Sequence, residues 1–308
     1  MSRWPDVTAI VTTRGRPELV RDTLRTIVGQ TYPGRIDCVV VHDQEALDPT
    51  LEKLGHDQHT VRVIGNHRSP GLAGARNSAI DVTDGDYVAT CDDDDLWHES
   101  KLTRQIEMLE SRPDLLAVGS GLRLLLPKGK VVDWPARTEL VDYQLLLRNR
   151  VKELHSSTLV MRREAYAKAG RYDEELPRGY AEDYDWVLRA SRVGTIGVVI
   201  EPLADIRKDV QSWYQGRSEN TLVGLEAFWA KHQEEIKASR RGHARMLGQI
   251  GFAKSSTGDR KGAVKCAFEA LSRWPLSPHA YLALAQASTG MSPQTFLKGA
   301  RLFRRGLP

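Results

Sequence analysis

The sequence predicts an α/β protein: a mixed, mostly parallel sheet flanked by helices, followed by a helical C-terminal extension. Three observations carry this. β-branched runs alternate with helical patterns from residue 7 onward, the sign of successive βαβ units. Each early apolar run closes on a polar loop, which lines those loops along one sheet edge. Charge also changes sign along the chain: residues 1–230 hold 30 Lys+Arg against 36 Asp+Glu, and residues 231–308 hold 14 against 4. With 308 residues and 41% hydrophobic content, two domains are expected, at 1–220 and 221–308. No apolar run approaches the ~20 residues of a spanning helix, and MSRWPDV has no apolar signal core. Cys38, Cys91 and Cys266 show no CxxC spacing. A cytoplasmic protein with reduced thiols and no nucleic-acid partner is the expectation.

In order, Val7 to Thr12 reads as a buried strand, and Pro17 opens a helix whose stripe is Leu19, Leu24, Ile27 and Val28. Ile36 to Val41 is a second strand ending in His42 and Asp43, and Val61 to Ile64 a weaker third. GNHRSPGLAGARNSAI is a Gly-containing loop entering a helix. Arg76 and Asn77 there suit a phosphate or ribose, while Arg76 equally suits an internal salt bridge. The loop is neither GxGxxG nor GxxxxGKS, so a redox dinucleotide or a phosphate-loop NTPase is disfavoured. A helix runs from Lys101 to Ser111. LLAVGSGLRLLLPKGKVVDWP is a hairpin turning at LPKGK, Asp142 to Arg150 a short helix, and LHSSTLVMRR a strand bearing His155, which in isolation reads as a structural histidine.

Two stretches carry chemistry. In GDYVATCDDDDLWHESKL a short strand ends in Asp92 to Asp95, at the strand end where α/β sheets bind ligands. Residues two apart on extended backbone point the same way, so Asp92 and Asp94 can share a hard divalent cation carrying phosphates. An acidic turn capping the next helix fits the four Asp equally well. In GRYDEELPRGYAEDYDWVLRA, Glu182 and Asp183 fall at the start of a helix, whose dipole favours the ionised form. There a general base and a plain helix cap both remain open.

Taken together and in order, VTAIVTTRGRPELVRDTLRTIVGQTYP, CVVVHDQ, GLAGARNSAI, GDYVATCDDDDLWHESKL and GRYDEELPRGYAEDYDWVLRASRVG give a chain that resembles a family-2 inverting glycosyltransferase of the GT-A fold over roughly residues 6 to 215. The resemblance implies a nucleotide-diphosphate sugar donor, an Mg²⁺ or Mn²⁺ cofactor, and an acceptor that is a saccharide, a lipid-linked molecule or a small molecule. It implies that Thr12, Arg14 and Asp43 border the base and ribose, that Arg76 and Asp93 lie near the donor, and that Asp92 and Asp94 form the D-x-D pair, with Asp94 the direct metal ligand. Asp183 becomes the catalytic base. Two departures stand out. His42-Asp43-Gln44-Glu45 replaces the Asp-Asp-Gly-Ser of many relatives, and IRKDVQS offers Asp209, two residues after Arg207, where many relatives place a histidine, making Asp209 a third candidate metal ligand.

Two readings of other classes compete. A nucleotidyltransferase would want a basic Gly-rich loop after the first strand, and TTRGRPE lacks the glycine run. A non-catalytic nucleotide-sugar-binding protein would be expected to lose the acidic cluster or Asp183. Towards the C terminus, LGQIGFAKSSTGDRKGAVKCAFEALSRWPLSPHAYLALAQAS reads as two apolar-periodic segments, loosely like one tetratricopeptide helix pair. The basic end FLKGARLFRRGLP suits an anionic membrane surface or an acidic partner.

Overall fold

The computed structural model describes residues 4–208, 210 and 218–289. The chain divides into two compact units: Met1–Leu146 with Val151–Glu175 and Glu182–Ser212, and Leu147–Arg150 with Leu176–Ala181 and Trp213–Pro308.

The first unit is built on a ten-stranded sheet. Its strands are β1 (Val7–Thr13), β2 (Ile36–His42), β3 (His59–Gly65), β4 (Tyr87–Asp92), β5 (Leu96–Trp97), β6 (Leu115–Leu126), β7 (Lys130–Trp134), β8 (Leu140–Val141), β9 (Val160–Arg162) and β10 (Thr195–Arg207). The order along the sheet is β3-β2-β1-β4-β9-β6-β10-β5, with β7 pairing β6 and β8 pairing β10. Strands β1 to β4 run parallel. β9 is antiparallel to both β4 and β6, and β6 is parallel to β10. Every residue of β1 and β2 is buried, as befits central parallel strands covered on both faces.

Helices α1 (Pro17–Val28), α2 (Leu72–Asp81), α3 (Lys101–Ser111), α5 (Ala165–Ala169) and α6 (Glu182–Val193) belong to this unit, and α4 (Tyr143–Arg148) has its first four residues in it. Pro17 takes a first-turn position of α1, where its missing N–H costs nothing. Val20, Leu24, Ile27 and Val28 then bury one stripe against the sheet core. Helix α2 has a glycine at 74 where it lies tight on its own entry loop: a Cβ on Gly74 would stand 1.9 Å from the Ser69 carbonyl oxygen.

The parallel register fixes the functional edge. Thr12 pairs with Asp92 and Thr13 with His42, so the loops after β1, β2 and β4 leave the sheet side by side. The hairpin at Pro127–Gly129 turns through Lys128 and Gly129, both in the left-handed region at φ 67° and 69°. One expectation needs correcting. LHSSTLVMRR is not a single strand: Ser156–Thr158 is a 3-10 turn and only Val160–Arg162 is extended. His155 Nδ1 accepts from the Ser157 N–H at 3.2 Å, a local side-chain bond that competes with the sheet ladder.

The second unit contains α7 (Ser218–Lys237), α8 (Arg240–Ser256), α9 (Arg260–Arg273) and α10 (Pro278–Thr289). Ser239 caps α8 by accepting from Gly242 N–H, and Asp259 caps α9 by accepting from Gly262 N–H. Where two helical segments were expected there are three helices, α8 to α10. Their shared core is mainly alanine: Ala244, Leu247, Ala267, Ala270, Ala280 and Ala283. Among the described residues no helix is long and apolar enough to cross a membrane. The basic segment at 296–308 lies outside the described residues.

Candidate active site

The four aspartates after β4 divide into two pairs. The side chains of Asp92 and Asp94 are 30% and 17% exposed, whereas those of Asp93 and Asp95 are 9% and 2% exposed. The buried pair builds the turn. Asp93 accepts from Thr13 Oγ1 at 2.8 Å and from Arg16 Nη1 at 3.0 Å. Asp95 accepts from Ser157 Oγ at 2.5 Å and from the Arg207 backbone N–H at 3.0 Å. The more exposed pair, Asp92 and Asp94, is the i, i+2 pair singled out by sequence. Arg16 Nη1 also donates to Asp94 Oδ2 at 2.9 Å, so one guanidinium joins Asp93 to Asp94.

Arg76 forms the link to the second acidic stretch. It is 3% exposed, donating to Glu182 Oε1 at 2.5 Å, to Asp92 Oδ1 at 2.9 Å and to Ser156 Oγ at 2.8 Å. Its guanidinium also lies 5.3 Å from the Tyr172 ring centroid. Burial disfavours the Arg76 charge, and Glu182 and Asp92 more than restore it, so the group stays protonated. Of the two sequence readings of Arg76, the geometry is that of the internal salt bridge. Asn77 faces inward as well, bound to Tyr172 and Glu174. Asp183 sits in the first turn of α6, buried, with its Oδ1 accepting from Tyr184 N–H at 2.7 Å.

Asp43 and Thr12 are both buried at the sheet edge. Asp43 accepts from the Gly71 N–H at 3.1 Å and from Asn66 Nδ2 at 2.8 Å, and Arg14 stands 3.9 Å away. The departing residues have local work: His42 Nδ1 lies 2.8 Å from Glu45, whose other oxygen accepts from Gly15 N–H at 2.5 Å. This ties the loop after β2 to the loop after β1.

The donor set fits a hard divalent cation. Burial, opposed by Arg16 and Thr13, pushes the Asp93 carboxyl up to about 6. Burial and the Asp92 charge raise Asp94, and burial with Asp92 and Asp94 raises Asp95 well above the usual carboxylate range. Such crowding of oxygen ligands is what a bound cation relieves. Ligand atoms of Asp92, Asp95 and His155 lie within 4.8 Å of one another. Asp94 is outside that group, engaged by Arg16, and Asp209 lies outside the described residues. Sequence reasoning missed Arg16, Ser156 and Ser157. The basic TTRGRP loop at a strand end was the available signal for Arg16. Nothing local marks the serines, which reach the site only through the fold.

The profile of Glycosyl transferase family 2 matches residues 8–169. The amylovoran biosynthesis glycosyltransferase AmsB of Erwinia amylovora is 28% identical over 232 residues, covering 69% of this chain and 72% of its own length. An uncharacterised glycosyltransferase of Haemophilus influenzae is 25% identical over 219 residues, 67% of each chain. Among solved structures, residues 1–349 of S. aureus TarS in complex with UDP-GlcNAc superpose with a TM-score of 0.60 at 17% identity, covering 96% of this chain and 92% of that one. The mannosyltransferase PcManGT of Pyrobaculum calidifontis, in complex with GDP-Man and Mn²⁺, gives 0.56 at 18% identity, covering 98% and 87%. With the profile spanning more than half of its length and the sheet matching GT-A enzymes, this chain belongs to glycosyl transferase family 2.

Proposed function

We propose that the chain moves a sugar from a nucleoside-diphosphate sugar to an acceptor hydroxyl in a single displacement that inverts the anomeric centre, with Mg²⁺ or Mn²⁺ as cofactor. Residues 1–220 are the catalytic part and 221–308 a helical extension. The observation that carries the reading is Arg76, which joins Asp92 at the end of β4 to Glu182 at the start of α6. A donor-holding turn and a proton-accepting helix start are thereby fixed against each other.

Thr12, Arg14 and Asp43 border the base and ribose, and Asp92 and Asp94 hold the cation. A bound divalent cation supplies neutralisation of the charge that develops on the departing diphosphate. Asp93, tied to Thr13 and Arg16, keeps the turn in shape beside the donor. Asp183 accepts the proton of the acceptor hydroxyl as its oxygen bonds to the anomeric carbon and the bond to the diphosphate breaks. One displacement needs no second carboxylate on the sugar, unlike a retaining glycosidase. The UDP-GlcNAc and GDP-Man complexes of the structural neighbours support a nucleotide sugar as donor, and the Mn²⁺ of one supports the cation.

The test is a thermal-shift panel of nucleotide sugars with Mn²⁺. Saturating the right donor at about 100 times its Kd adds about 2.7 kcal/mol, a clear rise in Tm that EDTA should remove. A panel without any response would overturn the reading. Donor binding without transfer to any hydroxyl would make the protein a nucleotide-sugar binder.

A further inference from the structure

Among the described residues of the helical unit lies a polar pocket, open to solvent, with a volume of about 560 Å³. That is inside the roughly 300–1,000 Å³ of small-molecule sites. Three helices line it, each through residues four apart and therefore on one face. α7 contributes Trp229, Gln233 and Lys237, and α8 contributes His243 and Leu247. α9 closes the wall with Glu269 and Arg273. Leu247 is the only aliphatic side chain in this lining.

Trp229 and His243 stack, with ring centroids 5.2 Å apart and planes 22° apart. Lys237 Nζ stands 5.9 Å from the Trp229 centroid. His243 is only 6% exposed, yet its ring makes no hydrogen bond among the described residues. Its ring nitrogens are not among the sealed, unpartnered polar atoms, so they open onto the pocket, where a ligand can meet them. Arg273 and Glu269 form no ion pair among the described residues, whereas Lys237 is held by Gln233 and Glu234.

We infer that this cavity binds an anionic saccharide segment. A sugar ring offers an apolar C–H face for the aromatic wall and a rim of hydroxyls for Gln233, His243 and Glu269, which between them donate and accept. Burial, reinforced by Arg273 and Lys237 and opposed by Glu269, lowers the His243 pKa. The neutral ring thus offers one donor and one acceptor. An acidic substituent pairs with Arg273, whose planar fork suits carboxylate and phosphate alike.

The test uses the full chain, with tetragalacturonate and a glycerol-phosphate tetramer as probes and maltotetraose as the neutral comparison. Binding is followed by saturation-transfer NMR and calorimetry. At least one anionic probe should bind, at least tenfold more tightly than maltotetraose. The two anionic arms tell carboxylate from phosphate. Arg273→Gln, at an exposed position, should weaken that binding tenfold or more, and Trp229→Ala should abolish it. If Trp229→Ala does not fold, Arg273→Gln decides alone. UDP and GDP with Mn²⁺ are titrated into the same preparations and should respond identically in wild type and Arg273→Gln. Failure of both anionic probes, equal binding of maltotetraose, or an unaffected Arg273→Gln overturns the inference while leaving the donor reading intact. Absence of any nucleotide response would strike at the donor reading instead.

Discussion

The guanidinium of Arg76 meets the carboxylate of Glu182 at 2.5 Å although 106 residues separate them in the chain. Its remaining donors reach Asp92 and Ser156. A lysine carries its three donors on one compact nitrogen and cannot span these acceptors as the planar guanidinium fork does, so Arg76→Lys should lose kcat with a modest loss of stability. Arg76→Ala leaves Glu182 buried and unpaired, which should cost about 3–5 kcal/mol. Urea denaturation reads this directly. An Arg76→Ala protein unfolding at the wild-type midpoint would mean that the pair is not formed in solution.

Arg16 occupies the carboxylate oxygens of Asp93 and Asp94, one of them a proposed cation ligand. Arg16→Gln should therefore raise Mn²⁺ affinity several-fold in the absence of nucleotide, as measured by EPR of unbound Mn²⁺. Asp94→Ala should lose Mn²⁺-dependent nucleotide binding while staying folded, and excess EDTA should stop transfer. Unchanged Mn²⁺ affinity in both variants would remove Asp94 from the cation site.

What the sequence made legible follows how local each signal was. β1, α1, β2, β4 and α3 were all read to within two residues because each carries its own periodicity or breaker, such as Pro17 and Pro113. β10 was missed: Glu201 and Pro202 interrupt its apolar run, and its register against β6 shifts around that point. His155 was placed on a strand because β-propensity outweighed the cap its ring gives the Ser157 N–H, visible only in three dimensions. At the site, Asp92 and Asp94 are the more exposed pair, but β4 ends at Asp92 and the carboxylate grouped with it is that of Asp95, because the i, i+2 rule for extended backbone does not reach past the strand end. The partners Ser156 and Ser157 arrive from more than 60 residues away, and no spacing rule reaches that far.

Lys101 is fully buried without a hydrogen-bond partner for its Nζ, which lies 4.1 Å from the Trp97 ring centroid. Burial, with Cys91 opposing, lowers its pKa from 10.5 to about 7. Between these values the unfolded chain binds the extra proton, so this group's contribution to stability rises with pH across that window and falls away as pH drops towards 7. Lys101→Met, similar in length and uncharged, should be more stable than wild type at pH 7, with the advantage shrinking by pH 10. Urea midpoints at the two pH values check this. A variant less stable than wild type at pH 7 would show that the Trp97 contact outweighs desolvation.

Ala181 takes φ 62° immediately before α6. A non-glycine residue in the left-handed region is strained by roughly 1–2 kcal/mol, partly offset in Ala181→Gly by the larger entropy of an unfolded glycine. A gain of up to about 1 kcal/mol is expected by denaturant titration. A clear loss would locate a role for the Ala181 methyl group that outweighs backbone relief.

Asp183 separates catalysis from scaffolding, because its place in the first turn of α6 suits either. As the base, it must be ionised and able to accept the acceptor proton. Asp183→Asn keeps the shape and the acceptor oxygen for the Tyr184 N–H, so fold and donor affinity should survive while kcat falls by about 10²–10⁴. A purely helix-stabilising role predicts the opposite: near-native turnover and a loss of about 0.3–1 kcal/mol from the missing charge at the helix start. Glu182→Gln is a poor control for charge alone, since Glu182 is the buried partner of Arg76. It should lose stability as well as rate, and that contrast marks which carboxylate holds the site and which does chemistry. NMR of the first-formed product should show inverted anomeric configuration. Native-rate turnover by Asp183→Asn, or a retained anomer, would refute the single displacement.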